Sequence, residues 1–139
     1  MVRLLRPMLV GAIAVALLAG CSHRPESAGY VEDARDALDL PAIGKIQADA
    51  TFGDASSGVF YRAVINGDHA YEDLSNRLKD EGFDGPEGAD ESESTWYAPK
   101  RLHRVIVIVQ DVTGGESLPL EQGRKEIATG AGAFVTISG

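Results

Sequence analysis

The chain has 139 residues, 44% of them apolar, which suits one domain of ordinary size and is too short for two. It carries 13 Lys+Arg against 21 Asp+Glu, a formal charge of −8, and this argues against a nucleic-acid partner, which would need a basic footprint. Its single cysteine, Cys21, excludes an internal disulfide.

Met1–Pro7 holds Arg3 and Arg6 and no acid. Met8–Ala19 is an unbroken apolar run of 12 residues, shorter than the roughly 20 needed to span a bilayer and the right length for the core of a secretory signal. Leu18-Ala19-Gly20-Cys21 follows, and then a polar stretch. This segment resembles the signal and lipobox of bacterial lipoproteins, where small residues precede an invariant cysteine. The resemblance covers residues 1–21 only. It implies that residues 1–20 are removed and that Cys21 becomes the first residue and carries lipid. Without Arg3 and Arg6, 11 basic residues face 21 acidic ones, a charge of −10. Several acyl chains on one residue would hold the domain firmly, where a single chain holds it only marginally. Ser22 is not the Asp that retains such proteins in the inner membrane, so the implied address is the cell membrane or the outer membrane, with the domain outside the cytoplasm.

Ser22–Gly29 is small and polar and reads as a flexible tether, leaving 30–139 as a single domain. Tyr30–Leu40 has Val31, Ala34, Ala37 and Leu38 at helical spacing and is predicted to form a short helix stopped by Pro41. In Lys45–Phe52 the residues Ile46, Ala48, Ala50 and Phe52 alternate with polar ones, as expected of a half-buried strand. A turn at Gly53–Gly58 leads to a second strand, Val59–Ile65, so the two should form a hairpin.

Asp68 is placed to cap a helix over His69–Glu81, whose apolar stripe is Ala70, Tyr71, Leu74 and Leu78. Asp73 and Arg77 are spaced to pair on its outer side. Gly82 should end it, with Phe83 folding back on Leu78. Asp84–Ser94 has five acids and no large apolar residue and reads as a mobile loop. Thr95–Ala98 reads as a short strand. Val105–Val109 is apolar at every position, as in a central strand covered on both faces. Gly114-Gly115 is a turn, residues 116–130 suggest one helical turn near Leu120–Ile127, and Ala133–Ser138 is a final strand. The order α-β-β-α-β-β-β predicts an α+β domain, a helix packed on an antiparallel sheet of four or five strands.

Chemistry-bearing residues are sparse. His23, His69 and His103 have neither the spacing of a metal site nor a cysteine partner. No serine lies in G-x-S-x-G, and the glycines match no phosphate or dinucleotide loop. Asp84, Glu87, Asp90, Glu91 and Glu93 carry oxygen ligands but lack calcium-loop spacing. No metal or cofactor is therefore expected. The one surface with a sign is the basic knuckle: Lys100, Arg101 and Arg104, with His103, in five positions just after Trp96 and Tyr97. Such a patch on a tethered domain suits anionic headgroups or an acidic face of an envelope protein. The expected function is a non-catalytic accessory or binding lipoprotein, held at the membrane through lipid on Cys21. One alternative is a small-molecule or ion carrier with Phe52, Phe60, Tyr61, Trp96 and Phe134 lining a groove. The other is a small hydrolase built on His69 or His103.

Overall fold

The computed structural model describes residues 25–139. Helix α1 spans Glu26–Leu38 and a four-residue helix, α2, spans Leu40–Ile43. Strands β1 (Lys45–Asp54) and β2 (Gly58–Asn66) form a hairpin, followed by helix α3 (Ala70–Asp80). Strands β3 (Asp84–Asp90) and β4 (Glu93–Tyr97) come next, then a single 3₁₀ turn at Lys100–Leu102. Strand β5 is Ile106–Val112, β6 Ser117–Glu121, β7 Arg124–Ile127 and β8 Gly132–Ser138. The domain is α+β. Six strands form an antiparallel sheet in the order β1-β2-β8-β5-β4-β3, and β6-β7 is a separate two-stranded sheet.

The helices cover one face of the large sheet. Val31, Ala34 and Leu38 of α1 recur at helical spacing and are buried, as are Ala70, Leu74 and Leu78 of α3. They pack on the odd-numbered residues of the central strands, among them Ala63, Ile65, Val107, Val135 and Ile137, and on Trp96. Burying each large aliphatic side chain contributes about 1.5–3 kcal/mol, so this layer supplies most of the cohesion. Helix α3 ends as its sequence suggests. Gly82 takes the left-handed conformation at φ 84°, Phe83 N donates to Leu78 O at 2.9 Å, Gly82 N donates to Lys79 O at 3.0 Å, and Phe83 is buried.

A second, smaller core lies on the opposite face. Leu118, Leu120 and Ala128 cover Val64, Val112 and Phe134, with Ala48 and Ala50 at their edge. Residues 116–130 thus form a β-hairpin and not a helical turn. Leu118 and Leu120 alternate about Pro119, whose ring disfavours a helix interior, and Gly123 at φ 77° turns the chain.

Other expectations are corrected by the packing. Asp84–Ser94 is not a loop: it supplies β3 and the first half of β4. Main-chain pairing at a sheet edge needs no apolar side chains, and Asp90 Oδ1 accepts from Ser92 N at 3.1 Å in the turn. Buried Ser94 accepts from Trp96 Nε1 at 3.0 Å. Glu26–Gly29 belongs to α1, not to a tether, because Ala28 and Tyr30 find partners on the helix-side core. Helix α1 stops at Asp39, in the left-handed region at φ 46°, before Pro41 is reached.

Asp68 makes no capping bond to α3: His69 occupies the cap position, and a turn closed by Ala70 N donating to Gly67 O at 3.1 Å precedes it. Asp73 and Arg77 form no ion pair with each other among the described residues. Finally, a β-bulge between Ile46 and Ala48 splits the alternation of β1. Ile46 packs with the helix-side core, whereas Ala48 and Ala50 pack with the hairpin side. The sheet therefore has six strands, against the expected four or five.

Candidate functional site

The knuckle begins where Pro99 leads into the 3₁₀ turn, with Leu102 buried beneath it. Leu102 N donates to Pro99 O at 2.9 Å and His103 N to Lys100 O at 3.0 Å. This tight winding puts His103 at φ 61° and ψ −143°, a conformation most side chains avoid. Its imidazole lies on the ring of Tyr30, with centroids 3.7 Å apart and planes 24° from parallel. The contact brings the first turns of α1 against the knuckle. Ser27, Tyr30, Lys100, His103, Arg104 and Gly139 together line an open groove of about 590 Å³.

The three cations do not act as one patch. Arg101 donates to Glu81 O and to Glu81 Oε2, the latter at 3.1 Å, so it ties the knuckle to the end of α3. It is not part of the groove lining. Lys100 and Arg104 line the groove and form no ion pair among the described residues. Glu26 of α1 accepts from Tyr30 Oη at 3.3 Å, and its negative charge raises the pKa of that hydroxyl. Ser27, Tyr30 and Gly139 are the groove residues that sequence reasoning missed. None carries a local signal: Ser27 and Tyr30 join the site through the packing of α1, and Gly139 by following β8.

Elsewhere the structure separates what the sequence had grouped. Tyr61 and Trp96 are buried in the helix-side core and Phe134 in the hairpin-side core, while Phe52 and Phe60 stack on each other with centroids 5.4 Å apart. These five aromatics do not line one groove. Neither His69 nor His103 hydrogen-bonds through its ring to a serine or carboxylate among the described residues. The same residues contain no group of three or more His, Cys, Asp or Glu suited to a metal, and the acids of 84–93 are spread along two strands and the turn between them. No protein-family model, curated protein or solved structure matches the chain. Cys21, the signal segment and His23 lie outside the described residues. Among the described residues no helix is long and apolar enough to cross a membrane.

A second cleft, of about 420 Å³, lies between α1, α2 and β1 and includes Arg35, Asp36, Asp39, Asp49 and Tyr61. Tyr61 Oη donates to Asp49 Oδ2 at 3.0 Å, and the Arg35 guanidinium sits 4.9 Å above the Tyr61 ring. Burial, reinforced by the Asp49 carboxylate, pushes the Tyr61 pKa well above the usual phenol value. Its hydroxyl is held protonated as a structural donor, which joins β2 to the edge strand.

Proposed function

We propose that this protein is a lipid-anchored lipoprotein of the bacterial cell envelope, attached through Cys21 to the cell membrane or outer membrane. It acts there as a non-catalytic accessory module whose groove between α1 and the knuckle meets an anionic surface. The observation that supports this reading most is the position of the start of α1. Glu26, only five residues after Cys21, opens the helix whose Ser27 and Tyr30 sit against Lys100, His103 and Arg104. Five extended residues reach at most about 18 Å. An anchor at Cys21 would therefore keep this end of the domain within one short step of the bilayer.

The charge balance suits the arrangement. A strongly acidic domain is repelled by anionic lipid at long range, but salt confines that repulsion to about 8–10 Å. Inside that distance a local basic residue contributes about 1 kcal/mol. Lys100 and Arg104 could orient a domain already tethered without recruiting a free one. Arg101, paired with Glu81, adds less.

Cys21→Ala tests the anchor. In the native envelope, the wild-type chain should incorporate labelled fatty acid and yield an acylated N-terminal peptide that begins at Cys21. The variant should do neither. An unlabelled wild-type protein that retains residues 1–20 would refute the assignment.

A further inference from the structure

The even-numbered face of the large sheet is only half covered. Residues paired directly across antiparallel strands share a face, so the register can be read as rows. One row runs Phe60, Ser138, Ile106, Tyr97, Asp84; the next runs Arg62, Thr136, Ile108, Thr95, Glu87. The third continues from Val64 through Phe134 and Gln110 to Glu93 and Asp90. The β6-β7 hairpin covers the β1-β2 side and the end of the sheet near Val64, Phe134 and Val112. Ile106 and Ile108 belong to neither core and stay half-buried, and Tyr97 is 41% exposed. On this face of β5 Val112 is thus covered, whereas Ile106 and Ile108 have no partner layer.

The two flanks of this bare floor differ in charge. On the β3-β4 side the register places four carboxylates on the face: Asp84, Glu87, Asp90 and Glu93. Asp84, Glu87 and Tyr97 line one cleft, and the Glu87 carboxylate raises the pKa of the Tyr97 hydroxyl. On the β1-β2 side Arg62 lies 5.1 Å above the Phe52 ring, and Arg124 and Lys125 of the hairpin line the same cleft. Arg124 pairs with Glu121, and Arg62 is held under the hairpin by Nη1 donating to Pro119 O at 2.9 Å, whereas exposed Lys125 forms no ion pair among the described residues.

We propose that this face is the interface between two copies of the chain. A twofold axis parallel to β5, lying in the plane of contact, sets the left flank of one copy over the right flank of the other. The apolar centres then approach each other, and Lys125 of each copy, with Arg62 behind it, faces Asp84, Glu87 and Glu93 of its partner. Two identical surfaces complement each other under that operation, as a closed dimer requires. A partner with one sign of charge would match only one flank. Four strands and three rows give a floor of about 19 Å by 20 Å. That is short of the roughly 800 Å² per partner of a stable complex, so the free dimer is weak. Confinement on a membrane would raise its effective concentration.

The test uses the chain from Ser22, without lipid, and follows sedimentation equilibrium and NMR relaxation up to millimolar concentration. The expected result is a monomer–dimer equilibrium, with Ile106, Ile108 and Thr136 shifting on dilution. Glu87→Lys and Lys125→Glu are both at exposed positions and should each weaken the dimer by roughly tenfold, as two symmetry-related surface pairs turn repulsive. The double variant, in which each chain carries both changes, should recover most of the loss. Ile108→Thr should weaken the dimer without altering the fold. A protein still monomeric at millimolar concentration would overturn the proposal. So would a dimer that none of these variants weakens, or one that pairs through the edges of β1 or β3 with the Ile108 signals unmoved.

Discussion

Gln47 is the residue on which the second core depends most locally. The bulge in β1 sets it apart from the alternation around it, and its amide reaches the segment after β7. Its Nε2 donates to Ile127 O at 2.7 Å and to Glu126 Oε1 at 2.9 Å, while its Oε1 accepts from Thr129 N at 3.0 Å and Thr129 Oγ1 at 3.1 Å. Each such bond contributes about 0.5–1.5 kcal/mol net, and water can replace the more exposed ones. Gln47→Ala should therefore cost about 2 kcal/mol. Gln47→Glu should cost more, because it points a carboxylate at Glu126 and at a main-chain carbonyl. The loss should be local. Amide exchange should speed up at Gly115 and Ala128, whose main-chain bonds close the hairpin base at 2.8 and 2.9 Å, while the β2, β8 and β5 amides keep their protection. Urea unfolding combined with amide exchange reads both effects. If Gln47→Ala leaves the exchange of those amides unchanged, or if Gln47→Glu is the milder change, the proposed role of this amide is refuted.

Leu78→Ala should destabilise the domain by about 2–5 kcal/mol, since Leu78 is fully buried between α3 and the sheet; an unchanged urea midpoint would contradict that packing. Ser94→Ala should cost about 1–3 kcal/mol by leaving the buried Trp96 Nε1 without its acceptor, and should shift the tryptophan emission. Tyr61 stabilises the fold fully below its ordinary pKa of about 10, and that contribution is lost as pH rises from there toward the raised folded value. Tyr61→Phe should accordingly lower stability at neutral pH while flattening the alkaline decline seen by urea titration above pH 10.

The parts of this fold legible in the sequence were those with a repeated local signal. The stripe of α3 and its Gly82-Phe83 ending, the β1-β2 hairpin, and the strands around Val107 and Val135 all combine a period with a stop. The parts that escaped depend on partners distant in sequence. Strand β3 has no apolar pattern, because an edge strand with polar side chains is held by its main chain. The bulge at Gln47 is invisible because clean alternation from Ile46 to Phe52 suggests one face. The alternation of Leu118 and Leu120 was present, but it spans too few residues to outweigh a helical reading. At the site, Lys100, Arg101 and Arg104 were conspicuous as a charge cluster, yet only the fold separates Arg101, bound to Glu81, from the two that line the groove. The stacking of Tyr30 on His103 joins residues 73 positions apart, which no local pattern could signal.

In the proposed function, the anchor holds the knuckle end of the domain toward the bilayer. The most direct test couples the chain that begins at Cys21, through that thiol, to a maleimide lipid in anionic nanodiscs doped with a paramagnetic headgroup. Amide relaxation is then measured along the chain. Strand β5 alone spans about 23 Å, so the two ends of the sheet should differ sharply in an effect that falls steeply with distance. The strongest enhancement is expected at 100–104 and in the first turn of α1, with little at Thr113–Gly115 at the opposite end, and a weaker contrast in Lys100→Ser/Arg104→Ser or at high salt. Equal enhancement at the two ends, or a maximum at Thr113–Gly115, would contradict it.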